Sequence, residues 1–480
     1  MMNKHAGVTA LILLAISCGQ APTESSLTPE AIPPAITEQP PSEPELPPEL
    51  EAPARRTLYT LDATLDFSAH FLAVSERISF VNNDTDPLVE IILLVEAENL
   101  RAGFNIVELT GEFVESFTHQ PGRITVTLRE PLLAGNETVI ELRYELALPQ
   151  HASWLGWTER QTNLLDWYPF IPPYVDSEGW VIHPPAPVGE HLAFNSADFD
   201  VRITLQNAPA GAVVAGAASA IREGDVWHFN LQNARRFGWS VSGQYRTLNT
   251  VSRNTPITIY FFEEHRDAAE ASLEASSRAL EIYSDLFGEY PYGRLSVVEA
   301  QFPDGMESDA IYFLDQFYFL TYNYSPGNYL ITLSAHETAH NWWFGAIGNN
   351  QAVEPWLDEA FSTYSEFLFY ERAHPNLTDW WWDFRVNSHS PNGPVDLTIY
   401  ERTNFEAYVG AVYLNGAMFL HELRGAMGDE AFFGFLREYF TVANGRLVDS
   451  EEFFWRLAYA VPDINSVRPI MDEYFRLADN

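Results

Sequence analysis

Apolar residues recur at every second position in three separated stretches of the first half of the chain. Tyr59, Leu61, Ala63, Leu65 and Phe67 alternate with Thr60, Asp62, Thr64, Asp66 and Ser68, and the same period runs through 140–146 and 199–205. A period of two puts one face of a strand into a core and the other into water. Turn-forming clusters, Asn82-Asn83-Asp84 and Ala134-Gly135-Asn136, separate the stretches. Residues 57–252 therefore predict an antiparallel β domain, with a Trp-, Tyr- and Pro-rich loop over 154–187.

Near residue 265 the period lengthens. Asp267 followed by Glu270 has the form of a capping box, and Leu273, Leu280 and Leu286 ride one helical face as far as Gly288. Further helices are predicted over 330–344 with Gly345 as C-cap, from Pro355 onward, and over 416–425, 429–439 and 450–458. Residues 253–480 predict a second, mostly helical domain. The fold class is α+β multidomain.

A chain of 480 residues exceeds the size of one hydrophobic core, which agrees with two domains. Its net charge of −39 excludes nucleic acid as a partner, since phosphate binding needs basic patches. The single cysteine, Cys18, excludes a disulfide framework and a cysteine zinc site. It follows Lys4, His5 and an apolar run from Val8 to Ile16, too short to span a bilayer. Residues 1–18 thus read as a secretory signal of the lipoprotein type, with Cys18 as the lipidated residue that anchors the protein to a bacterial membrane outside the cytoplasm. An ordinary cleaved signal is the alternative. Residues 19–56 hold ten prolines and seven acidic residues without apolar periodicity, the composition of an extended tether.

The chemistry concentrates at His336-Glu337-Thr338-Ala339-His340. Residues four apart project from one side of a helix, so His336 and His340 can converge on one ion. Glu337 lies about 100° round the helix, where its carboxylate reaches a water beside the metal. Glu359, in Trp356-Leu357-Asp358-Glu359, can supply a third ligand from the start of the next helix. Two imidazoles, a carboxylate and an open position describe one catalytic zinc ion per chain, a Zn2+ site of the open kind.

Together with Gly305-Met306-Glu307-Ser308 upstream and Tyr408-Val409-Gly410-Ala411-Val412-Tyr413 downstream, this motif makes residues 57–480 resemble the aminopeptidase N-like gluzincin metallopeptidases. The resemblance implies a saddle-like β domain followed by a thermolysin-like catalytic domain, in a short form lacking the family's C-terminal helical domain. It also implies a zinc aminopeptidase acting on peptides. Glu337 is then the proton carrier and Tyr413 the donor to the oxyanion. Glu307, with Gly305 and Met306, binds the substrate, the carboxylate taking its α-ammonium and Gly305 admitting its backbone. Tyr408 opens the tyrosine motif beside the site. Glu366, seven residues after Glu359, returns to the same helix face, where it either orients a ligand histidine or stands at the surface. Ser308 and Asn415 depart from the family's asparagine and lysine. An endopeptidase or narrow hydrolase on the same zinc chemistry, and a catalytically silent surface binding module, are the competing readings.

Overall fold

The computed structural model describes residues 55–402 and 404–476. The signal segment and nearly all of the tether lie outside them.

The alternating stretches form a seven-stranded sheet. Its strands, from one edge, are Ile221–Glu223, Val226–Ala234, Ala197–Gln206, Thr57–Asp66, Phe71–Val81, Glu137–Ala147 and Gly103–Thr110. Leu61, Ala63 and Leu65 are buried while Asp62 faces water, as the period of two requires. One pairing departs from the antiparallel expectation: Thr57–Asp66 runs parallel to Ala197–Gln206, with Leu61 opposite Val201. Parallel neighbours need a long crossover, and here the intervening chain supplies it, including a three-stranded sheet of Leu88–Leu94, Arg123–Leu132 and Val114–Gln120. Alternation within a strand cannot reveal this, because both orientations share the same face periodicity.

A second, five-stranded sheet takes the order Tyr245–Ser252, Thr255–Phe262, Leu295–Ala300, Ile311–Asp315 and Gly305–Met306. Its first two strands are a hairpin, so the division expected at 252/253 falls inside one turn. Leu295–Ala300 is buried at every position, which suits a parallel strand covered on both faces. The helix Arg266–Leu286 packs on this sheet and buries Leu273, Leu280 and Leu286 as expected. The capping box does not form. A single 3-10 turn, Glu263–His265, starts the helix earlier and leaves His265 at the N-cap position.

Two helices carry the site, Tyr329–Ala339 and Trp356–Ala373, both buried along most of their length. The helices Gly416–Met427, Asp429–Ala443 and Ser450–Ala460 wrap them at the predicted positions. Trp342, Trp343, Trp356 and Trp381 are fully buried among these helices, giving the two site-bearing elements a rigid aromatic bed. The short edge strand Gly305–Met306 pairs with Ile311–Asp315, Gly305 opposite Leu314, and so delivers Glu307 to the neighbourhood of the first site helix.

Candidate metal centre and substrate cleft

The helix bearing the H-E-x-x-H motif is shorter than 330–344: it ends at Ala339, with His340 as its C-cap. After His340 the amides tighten, Trp342 N–H donating to the Ala339 carbonyl at 2.8 Å and Gly345 N–H to that of His340 at 2.8 Å. The chain folds back, and the Trp343 carbonyl comes within 3.1 Å of His340 Nδ1. On the other imidazole, Nδ1 of His336 is 2.8 Å from Oε1 of Glu366. With both Nδ1 atoms engaged by acceptors, both Nε2 atoms are left with lone pairs facing the cleft. Glu366 is thus the orienting group, not a surface carboxylate.

Glu359 sits one turn into its helix, after Pro355. His336 Nε2 and His340 Nε2 are 3.1 Å apart, and Oε2 of Glu359 lies 3.4 and 3.5 Å from them. Ligands about 2.0–2.2 Å from a tetrahedral zinc stand about 3.3–3.6 Å from one another. The triangle has the size such an ion needs. Oε2 of Glu359 is buried without a hydrogen-bond partner among the described residues, as a ligand oxygen should be. Burial works against charge on His336, yet Glu359 and Glu366 outweigh it and hold the imidazole up at about 9. A field that favours a buried imidazolium favours a cation there. The donor set fits a divalent zinc.

Tyr413 lies on a π-helical segment, Gly410–Asn415, the irregularity often found where a helix must aim a functional side chain. Its hydroxyl donates to Oε1 of Glu359 at 2.6 Å, leaving Oε2 to the histidines. A Cβ on the next glycine, Gly416, would lie 2.3 Å from that of Ala360, so only glycine lets this segment approach the Glu359 helix. Tyr408 is buried and packs edge-on against the Tyr413 ring at 5.9 Å, fixing it without lining the cleft. Asn415 holds the neighbouring loop, donating to the Gly393 carbonyl at 2.8 Å.

Glu337 faces a cleft of about 700 Å³ that also exposes Glu307, Met306 and the metal triad. Burial above all pushes its carboxyl up to about 8, with Glu307 and Glu359 adding to the effect and the imidazoles opposing it. A Cβ on Gly305 would lie 1.9 Å from Oε1 of Glu337. Gly305 thus leaves room for this chain's own base, and it lines the cleft beside it. Met306 reaches 3.6 Å from Arg236 with its sulfur. Ser308 is buried with its hydroxyl unpartnered.

Three cleft residues escape sequence reasoning. Arg236 is buried, donates to the Glu307 carbonyl at 2.6 Å and to its carboxylate at 3.3 Å, and pairs with Asp166 at 3.5 Å. Glu190 stands 3.9 Å from Arg236 and lines the same cleft. Arg385 grips Glu366, Nε 2.9 Å from Oε2 and Nη2 3.0 Å from Oε1. Arg236 and Glu190 lie in loops, and Arg385 lies in the π-helical segment Trp382–Val386. The adjacent pair Arg235-Arg236 in a chain with so few cations was the one available signal.

The peptidase family M1 domain matches residues 271–474. This stretch is an M1 peptidase domain. The described fold as a whole is similar to an M1 zinc metallopeptidase from Deinococcus radiodurans, with a TM-score of 0.63 and 18% identity across 88% of this chain and 95% of that one. In sequence, the chain is 28% identical over 230 residues to Aminopeptidase O of Rattus norvegicus, covering 40% of this chain and 27% of the rat protein. It is 25% identical over 240 residues to Aminopeptidase N of Lactobacillus delbrueckii subsp. lactis, covering 44% and 28%. These matches thus span little more than a quarter of either relative.

Proposed function

We propose that the protein is a zinc-dependent aminopeptidase that removes single residues from the N-termini of peptides. One observation carries this reading. An oxygen of Glu307, an oxygen of Glu337 and a ring nitrogen of His340 lie within 4.8 Å of one another. In any amino acid the α-nitrogen stands about 2.5 Å from its own carbonyl carbon. A substrate whose α-ammonium rests on Glu307 therefore has room for one residue before its peptide bond reaches the metal triad. Glu190 supports the same reading, because burial and the nearby Glu307 charge drive its carboxyl well above the usual range. An ammonium between the two carboxylates relieves that conflict and gains charge-assisted hydrogen bonds.

Zinc held by His336, His340 and Glu359 would supply Lewis-acid polarisation of the scissile carbonyl and acidify the attacking water. Glu337 takes that water's proton and returns it to the leaving amine; its Oε2 carries no hydrogen bond among the described residues. Tyr413 donates to the oxygen that gains charge in the transition state, its hydroxyl being kept beside the triad by Glu359. Relatives named aminopeptidases support the assignment.

The test is hydrolysis of an aminoacyl anilide beside its N-acetylated form, with and without a chelator. Cleavage only of the free amine, lost on chelation, is the expected result. Equal cleavage of the blocked substrate would replace this reading with an endopeptidase on the same metal chemistry.

The same reading extends to location: Cys18 carries a lipid anchor and the Pro- and Glu-rich stretch holds the enzyme away from a bacterial membrane, outside the cytoplasm. The support is the apolar run ending in Ser17-Cys18. Palmitate labelling of the expressed protein, abolished by Cys18→Ala, tests it.

A further inference from the structure

Among the described residues that line the cleft, only Arg236 and Arg385 are permanent cations. The Nη groups of Arg236 are taken by Glu307 and Asp166. Arg385 differs. One edge of its guanidinium, Nε with Nη2, forks onto both oxygens of Glu366, while Nη1 makes no hydrogen bond among the described residues. The side chain is 10% exposed and lines the cleft. Because the plane is pinned along one edge, the direction of the remaining NH2 group is set in advance.

The neighbourhood repeats the pattern. Tyr329 lines the same wall, its hydroxyl makes no hydrogen bond among the described residues, and the charge of Arg385 acts directly on it. It lies seven residues before His336, two helical turns along the same face. Asp304, the carboxylate whose charge also reaches both groups, is occupied by the Tyr318 hydroxyl at 2.9 Å.

The polarity of the cleft then fixes what these donors meet. Glu307 approaches the metal site beside His340. Arg385 reaches it from the other imidazole, through Glu366 to His336. A peptide held by its α-ammonium on Glu307 runs its following residue towards Arg385. We propose that Nη1 of Arg385 and the hydroxyl of Tyr329 bind a carboxylate on the residue immediately after the scissile bond, making the enzyme selective for that charge. The inference rests on the aminopeptidase reading, since it is Glu307 that orients the substrate. Two sources carry the required group: the C-terminus of a dipeptide, and the side chain of an acidic second residue.

The experiment compares substrates on unaltered enzyme. Leucyl-alanine against leucyl-alaninamide probes the terminal carboxylate, and leucyl-glutamic acid amide against leucyl-glutaminamide probes the acidic side chain. A leucyl anilide, which has no carboxylate, reports aminopeptidase activity alone. A charge-assisted hydrogen bond predicts a KM about tenfold to a hundredfold lower for the carboxylate member of at least one pair, with kcat little changed. Arg385→Gln should bring that ratio close to one whatever it does to absolute rate. Calorimetric binding of the same pairs to metal-loaded Glu337→Gln enzyme decides the question without turnover. Equal KM and equal binding in both pairs overturn the proposal even if the anilide is cleaved. An uncleaved anilide overturns the aminopeptidase reading instead, and the calorimetric ratio still decides the carboxylate site.

Discussion

Gly305 and Glu337 occupy one another's space: a Cβ on the glycine would fall 1.9 Å from Oε1 of the carboxylate. The glycine belongs to the edge strand of one sheet and the glutamate to the first site helix, and they meet only because neither a methyl nor a longer side chain intervenes.

Gly305→Ala should therefore push the Glu337 carboxylate out of line without touching the metal ligands. The expected outcome is a kcat reduced about a hundredfold or more, the loss typical of a misplaced proton carrier, with zinc content unchanged by atomic absorption. Normal turnover in a folded Gly305→Ala protein would show that the carboxylate has another working position.

Tyr413→Phe removes the 2.6 Å bond to Glu359 together with the donor to the developing oxyanion. Charge on that oxygen appears only in the transition state, so kcat should fall about a hundredfold to a thousandfold while KM changes little. Steady-state kinetics on a single anilide suffice. A rise in KM with kcat intact would reassign the tyrosine to substrate binding.

Glu366 fixes the ring of His336 while Arg385 and Trp381 hold Glu366 in turn, the indole donating at 3.0 Å. Glu366→Ala frees that ring and leaves Arg385 unpaired. Metal affinity should drop about tenfold to a hundredfold, read by competition with a chromogenic chelator. Chelation of unaltered protein should also lower Tm, because an ion that binds only the folded chain stabilises it by mass action.

Glu76 is buried in the β domain, far along the chain from the site, and neither carboxylate oxygen has a hydrogen-bond partner among the described residues. Burial raises its pKa well above 4.5. The folded state then holds the proton more tightly than the unfolded chain, so stability is fully present below about pH 4.5 and declines as pH rises through the window between the two values. Glu76→Gln removes this dependence and should be the more stable protein at neutral pH, by about 1.4 kcal/mol for each unit separating the two values. Urea denaturation of both proteins at acid and neutral pH measures it. Parallel stability profiles would mean that the charged carboxylate finds a partner in solution.

The histidine pair of the metal triad was legible because its spacing is local, and Glu359 was legible as a carboxylate at the start of the next helix. A step of four from His336 to His340 is about one helical turn, which puts both imidazoles on one face. The step from Glu359 to Glu366 returned to one face of its helix without saying whether Glu366 met a histidine or water. The end of the first helix was not legible, since a bond from an imidazole to the Trp343 carbonyl, rather than any terminating residue, turns the chain at His340. Likewise the capping box at Asp267 satisfied the local pattern, yet the preceding 3-10 turn began the helix first.

By itself the sequence determined which faces are buried, where the period changes, and which two imidazoles can share one ion, because these follow from repeats of two and of 3.6 residues along a single element. Only the tertiary structure decided that the first long strand lies parallel to one some 140 residues later, that Glu190 and Arg236 meet Glu307, and that Arg385 stands behind His336 with an NH2 group to spare. Those relations join elements whose separation is set by how layers pack, and packing leaves no periodic trace in the residues that it brings together.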